Sequence, residues 1–162
     1  MHLDGALDLH ITPQFPSGTL VIAESLIAWL SLGLLLFGAS KMFGGDGGSG
    51  AHLAASGLGR FPYLFASIIS SRQLLGGAML KSITVKPEEI VVRPEAFMLP
   101  AVIIGGVAIM GFIVWAVAIL YLGYKEASRL QGGKTVASFI IGLILAEVVS
   151  KLLIVGLFRA GI

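Results

Sequence analysis

The stretch from Phe97 to Tyr124 contains no charged side chain, and this feature restricts the possible folds more than any other. About 20 consecutive apolar residues are enough for an α-helix to cross a bilayer core roughly 30 Å thick. Two further apolar runs of sufficient length lie at 19–40 and 135–158. Only 12% of the residues are charged, which is about half of the fraction in water-soluble domains. The sequence therefore predicts an integral membrane protein, with membrane-spanning helices at 19–40, 97–124 and 135–158.

A fourth hydrophobic segment, 51–80, is interrupted by charge. Its uncharged centre lies between Arg60 and Arg72 and is too short for a straight crossing. Both arginines are expected to extend towards opposite interfaces, and Pro62 is expected to kink the helix. We expect a tilted or kinked span here, with a re-entrant or interfacial helix as the alternative. The polar loop 81–96 follows, and two β-prone runs around a proline predict a small hairpin within it.

A glycine-rich stretch connects the first two hydrophobic segments. It contains Gly44, Gly45, Gly47 and Gly48, which offer no side chains for packing and have high backbone freedom. This composition predicts a flexible hinge. The whole chain, 1–162, is predicted to form one domain, an all-α membrane bundle of four hydrophobic helices, of which the second is kinked or re-entrant.

Residues 1–18 are predicted to be a tail at the membrane interface. They contain no Lys or Arg, so they do not resemble a signal peptide. A short interfacial helix is favoured over a metal site, although four potential ligands occur there: His2, Asp4, Asp8 and His10. The positive-inside rule favours a non-cytoplasmic N-terminus, with Lys41 and the loop 125–134 on the cytoplasmic side.

Three ionisable residues interrupt the membrane-spanning runs. Glu147 and Lys151 lie four positions apart and therefore share one face of a helix. Glu24 is expected at a similar depth in the first span, and charged groups inside a bilayer normally face protein or water. We predict a buried ion cluster of Glu24, Glu147 and Lys151. A structural role that fixes the helix register is favoured over a proton or ion relay.

Small residues recur at intervals of four along one face of the last predicted helix: Ser138, Gly142, Ala146 and Ser150. Such a row lets the backbone of a second helix approach closely. Packing inside the bundle is favoured, and an interface with a partner or a second copy is the alternative.

Several chemical functions find no support in the residues. No Ser/His/Asp or zinc-type arrangement is visible, the chain has no cysteine, and the net charge of +2 is too small to indicate nucleic-acid binding. Gly132-Gly133-Lys134-Thr135 does not form a phosphate-binding loop, because Ser128 stands where that motif needs glycine. His52 is expected to be an interfacial polar residue. We expect no enzymatic activity, no metal or other cofactor, and no nucleotide.

The order of these features resembles one family. A hydrophobic helix ends in Phe43-Gly44-Gly45, a glycine-rich turn follows, and the next helix contains Arg60-Phe61-Pro62-Tyr63-Leu64. Together with the loop at 120–130, this order is similar to that of prokaryotic members of the Yip (Ypt-interacting protein) family, over most of 20–157. The resemblance implies a membrane domain, in a prokaryotic inner membrane, without an established activity. Family members usually have five spans and a cytoplasmic N-terminus, so four spans imply a non-cytoplasmic one.

The first functional hypothesis is a non-enzymatic membrane scaffold or assembly protein of the Yip type. Its partners would be the lipid bilayer and other membrane proteins, or further copies of the chain. One alternative is a small accessory subunit of a large, energy-converting membrane complex. Another is an oligomeric channel or transporter that uses the Glu24, Glu147 and Lys151 cluster.

Overall fold

The computed structural model describes residues 2–3, 9–10, 18–69, 83–86, 89–92 and 99–159. These residues form five helices and four short strands. The helices are α1 (Gly18–Met42), α2 (Ser49–Gly59), α3 (Phe61–Ile69), α4 (Leu99–Ser128) and α5 (Gly133–Arg159). Helices α1, α4 and α5 each contain a segment long and apolar enough to cross a membrane: Ile22–Met42, Ile103–Ser128 and Gly133–Gly156. The predicted bundle of hydrophobic membrane helices is confirmed.

The second predicted hydrophobic segment is divided into α2 and α3 at Arg60. The amide of Arg60 donates to the carbonyl of Gly57 at 3.1 Å, which ends α2 in a tight turn. Pro62 is the second residue of α3, and it has no amide hydrogen with which to continue the α2 ladder. The kink therefore occurs where the sequence predicts it. The part of the 51–80 segment that follows Ile69 lies outside the described residues, Arg72 included.

The strands form two hairpins, of which the first contacts α1 through β1. Strands β3 (Ile83–Lys86) and β4 (Glu89–Val92) pair in antiparallel fashion, which is the hairpin predicted for this loop. Strands β1 (His2–Leu3) and β2 (Leu9–His10) also pair in antiparallel fashion. The expected interfacial helix is therefore wrong for these four tail residues, since isolated helices of a few turns are marginal. The tail residues between the strands, which include Asp4 and Asp8, lie outside the described residues.

Helix α5 packs along α1, and the small-residue row forms the contact. All four members of the row are buried. A Cβ atom added at Gly142 would lie 3.0 Å from Leu36 and 3.1 Å from Ala39 of α1. The row therefore lies inside the bundle, where its small side chains let the two backbones come close.

Helix α4 packs against α2 and α3 on the other side of the bundle. A Cβ atom added at Gly59 of α2 would lie 2.9 Å from the Cβ of Leu120. One added at Gly123 of α4 would lie 2.9 Å from the Cβ of Ala55. Within the described ranges, α3 contacts α2 and α4 but has no close backbone contact with α1.

Candidate functional site

Charged side chains of α1 and α5 that the sequence predicts to cluster differ in burial: Glu24 lies inside the bundle, whereas the Glu147–Lys151 pair is partly exposed. Glu24 is fully buried. On α5, Lys151 Nζ lies 3.2 Å from Glu147 Oε1, which is an ion pair along one helix face. The structure thus forms the predicted Glu147–Lys151 pair and buries the third predicted member. A direct contact between Glu24 and Lys151 stays a prediction.

Two residues that the sequence pattern did not assign to this cluster join it. Arg60, at the kink between α2 and α3, donates from Nη1 to the carbonyl oxygen of Ser25 at 3.1 Å, next to Glu24 on α1. Tyr63 is buried in the first turn of α3, three residues after Arg60, and lies within range of the charges of Arg60 and Glu147. The side chain of Arg60 thus reaches α1, and its expected extension towards an interface stays a prediction.

We call these five residues the charged cluster: Glu24, Arg60, Tyr63, Glu147 and Lys151. Its two acids and two bases give a formal charge of zero. Compensation of this kind allows ionisable groups to remain in a membrane-spanning segment, whether they are buried in protein or partly exposed. Through the bond from Arg60 to Ser25, the cluster connects the kink between α2 and α3 to α1.

The glycine turn at the opposite end of α1 has a regular hydrogen-bonded geometry. Gly44 has a φ of +85°, a conformation that glycine adopts without a steric penalty. The amide of Gly45 donates to the carbonyl of Ser40 at 2.9 Å, and that of Gly44 donates to Lys41 at 3.1 Å. These two bonds form the Schellman motif, which satisfies the last carbonyls of a helix.

The turn is packed against the end of α4. Gly45 and Gly47 are both buried. A Cβ atom added at Gly47 would overlap the carbonyl oxygen of Ala127, and one added at Gly45 would lie 2.8 Å from that of Ser128. The predicted freedom from packing therefore does not hold at these two glycines. Glycine is needed at both positions because the backbone of the turn lies against the backbone at the end of α4.

His52 lies directly beneath this turn and is fully buried within the bundle. Its expected position at the depth of the membrane interface stays a prediction. Its Nδ1 lies 2.9 Å from the carbonyl oxygen of Gly48. Its ring contacts those of Phe37 and Tyr124 edge to face, each with a centroid distance of 5.6 Å. His52 thus connects α2 to α1 and α4. Its place four residues after Gly48, in the first turn of α2, is a sequence signal for the contact with that carbonyl but not for the two ring contacts.

Tyr124 extends the same polar region to α5. Its hydroxyl donates to Ser138 Oγ at 2.7 Å, and the Ser138 hydroxyl donates to the carbonyl of Lys134 at 2.7 Å. Tyr124 and Ser138 are both fully buried. We call these residues the turn-end cluster: Phe37, His52, Tyr124 and Ser138. Their side chains connect four helices, α1, α2, α4 and α5. Within the described part of the chain, no three His, Asp or Glu residues are close enough to hold a metal ion.

Comparison with known proteins identifies one family. A sequence model described as the Yip1 domain matches residues 3–153, which include both clusters and the glycine turn. No curated protein and no solved structure matches the chain. The match confirms the resemblance that the glycine turn and the Arg60–Leu64 segment indicated.

Proposed function

Because the chain belongs to the Yip1 family of membrane proteins, we propose that it is a non-enzymatic assembly protein. In this role it associates laterally with other proteins inside the bilayer through its helix surfaces. The single observation that carries the proposal is the position of the Glu147–Lys151 ion pair on the outside of α5.

The ion pair is partly exposed within a membrane-spanning segment. The side chains of Lys151 and Glu147 are 47% and 28% exposed. Lys151 lies five residues before Gly156, the end of the apolar segment, which is about 7.5 Å along the helix at 1.5 Å per residue. A charged side chain at the centre of a bilayer costs about 2.5–3.5 kcal/mol, and intermediate depths cost less. A protein partner that covers the pair removes its contact with acyl chains, so this surface favours lateral association.

Helix α4 offers a second surface for association. Only 17% of its most apolar stretch is buried in the chain, compared with 39% for α1. Gly106 and Gly111 have open space where their side chains would be. Glycines on an outward face allow a neighbouring helix to approach closely. This face supports the proposal but does not carry it, because exposed apolar residues also suit lipid.

Association in lipid tests the proposal directly. The chain is extracted with its surrounding bilayer in a polymer nanodisc, without detergent exchange, and its mass is measured under native conditions. We expect particles that contain this chain and at least one further protein molecule in fixed ratio. Particles with one copy of the chain and no other protein contradict the proposal. A single large complex of fixed composition identifies the chain as an accessory subunit instead.

A matched variant distinguishes specific association from copurification. Exchange of both Glu147→Gln and Lys151→Met removes the ion pair while it keeps similar side-chain volume. We expect the nanodisc to retain less of the partner than with the wild type, but more than with Lys151→Met alone, while the unfolding temperature stays close to that of the wild type. Leu145→Met, on the same helix but away from the pair, serves as the control and should retain the partner.

The proposed orientation places the glycine turn in the cytoplasm and the N-terminus outside. This end of the bundle carries four exposed basic residues and two exposed acidic ones: Lys41, Lys125, Arg129, Lys134, Asp46 and Glu126. An excess of Lys and Arg near the membrane favours the cytoplasmic side. Since the chain has no cysteine, Asp46→Cys introduces a single thiol. Labelling of this thiol by a membrane-impermeant maleimide in intact cells would contradict the orientation, whereas labelling only after lysis supports it.

A further inference from the structure

We infer that the molecule covering the outer face of α5 is a second copy of this chain, in a parallel dimer whose two-fold axis runs along the membrane normal. The inference rests on the proposed function for the existence of a lateral contact, and it names the surface and the partner.

The surface follows a regular spacing along α5. We call it the α5 seam, and its members alternate in steps of three and four: Ala137, Ile140, Ile144, Glu147 and Lys151. The apolar members are exposed, with Ile144 at 59%. Alternation in steps of three and four is the pattern by which two helices interlock side chains at a crossing angle of about 20°. Ala137 is small, which lets the two backbones approach at the end near the glycine turn.

The acid and the base of the α5 seam complement the base and the acid of the same seam on a second chain. In a parallel pair of interlocked helices, the side chain of Glu147 enters the space between the partner's Ile144 and the partner's Lys151. The two-fold axis repeats the contact, so that two acids and two bases alternate in one group. Each Glu147 retains the Lys151 of its own chain at 3.2 Å and gains a second cation. No uncompensated charge enters the interface, which is the condition for a buried ion network to be tolerated.

Depth in the membrane favours a second copy over another protein. Parallel copies place identical residues at identical depths, so the acid and the base of one chain face the base and the acid of the other. A different protein must carry an acid and a base one helical turn apart at the same depth. The opposite face of α5 is not available, because the small-residue row is buried against α1.

Crosslinking in the cysteine-free chain tests the seam. Ile144→Cys places one thiol in the seam, and Leu145→Cys places one at nearly the same depth but about 100° around the helix. Leu145 is also exposed, at 43%. In lipid nanodiscs under mild oxidation, we expect a disulfide-linked dimer for Ile144→Cys and only monomer for Leu145→Cys. Equal crosslinking of both variants indicates random collision and overturns the inference.

Charge variants give a second, independent readout. Lys151→Met leaves two Glu147 carboxylates facing each other across the axis, so we expect the dimer to dissociate at least about tenfold more readily, which is 1.4 kcal/mol. The double variant Lys151→Met with Glu147→Gln should recover part of this loss, because no like charges remain. Independent and additive losses from the two single variants overturn the inference.

The outcomes separate this inference from the proposed function. If Ile144→Cys gives no dimer while native mass shows the chain bound to a different protein, the dimer is wrong and the assembly function stands. If the chain is monomeric in lipid and no other protein accompanies it, both are wrong.

Discussion

Replacement of Gly47 by alanine measures how tightly the glycine turn is packed. The added Cβ would overlap the carbonyl oxygen of Ala127 and lie 3.1 Å from Cε1 of His52. Because the main obstacle is backbone, a side-chain rotation cannot remove the overlap, and the turn or the end of α4 must move. Forced overpacking of this kind costs about 1–3 kcal/mol. For a chain of this length, each kcal/mol lowers Tm by about 2–4 °C.

The neighbouring glycine provides the matched control. Gly48 has a φ of −85° and a ψ of 157°, which any residue adopts, and a Cβ atom there meets nothing within 4 Å. Gly48→Ala should therefore leave stability unchanged or raise it by about 0.4–1 kcal/mol, through a less flexible unfolded chain. The assay is thermal unfolding in detergent micelles, followed by tryptophan fluorescence in a Trp115→Phe background, where the fluorescence comes from Trp29. Its indole donates to the carbonyl of Leu53 at 3.0 Å and so reports on α1–α2 contact.

The difference in unfolding temperature between Gly47→Ala and Gly48→Ala tests whether the turn is packed against α4. A Gly47→Ala protein that unfolds at the wild-type temperature refutes the packed turn. Equal losses for Gly47→Ala and Gly48→Ala also refute it, because the effect would then come from backbone stiffness and not from the contact with Ala127.

Two further predictions concern the contacts of α4. Gly123→Ala brings a Cβ to 2.9 Å from the Cβ of Ala55 and should cost about 1–3 kcal/mol, whereas Gly111→Ala, which points into open space, should be neutral or stabilising in the same unfolding assay. Tyr124→Phe removes the 2.7 Å hydrogen bond to Ser138 and should cost about 0.5–1.5 kcal/mol. A Tyr124→Phe protein that is as stable as the wild type would show that this bond adds nothing to the α4–α5 contact.

The helices follow from local properties of the sequence. The uncharged stretch before Tyr124 has to be helical in a bilayer, because only a helix satisfies every backbone group of a single segment there. Pro62 lacks an amide hydrogen, so the position of the kink is also a local property. The ion pair of Glu147 and Lys151 follows from their spacing of four on one helix. Each of these predictions depends on residues that are close together in the chain.

Contacts between helices were harder to predict. Arg60 donates to the carbonyl of Ser25, 35 positions earlier in the chain, so this contact depends on how α1 and α2 lie against each other. His52 is a single polar residue, and its burial between Phe37 and Tyr124 depends on three helices meeting at one point. Nothing in the spacing of these residues along the chain reports that meeting point.

The glycine turn separates what the sequence determines from what only the tertiary structure determines. The sequence by itself determined that a turn follows Met42, since a run of glycines neither continues a helix nor packs side chains. Only the tertiary structure decided that Gly45 and Gly47 are packed against the carbonyls of Ala127 and Ser128. The physical reason is that glycine serves equally well for freedom and for close approach. Which of the two applies depends on whether another backbone, distant in the chain, comes to lie against it.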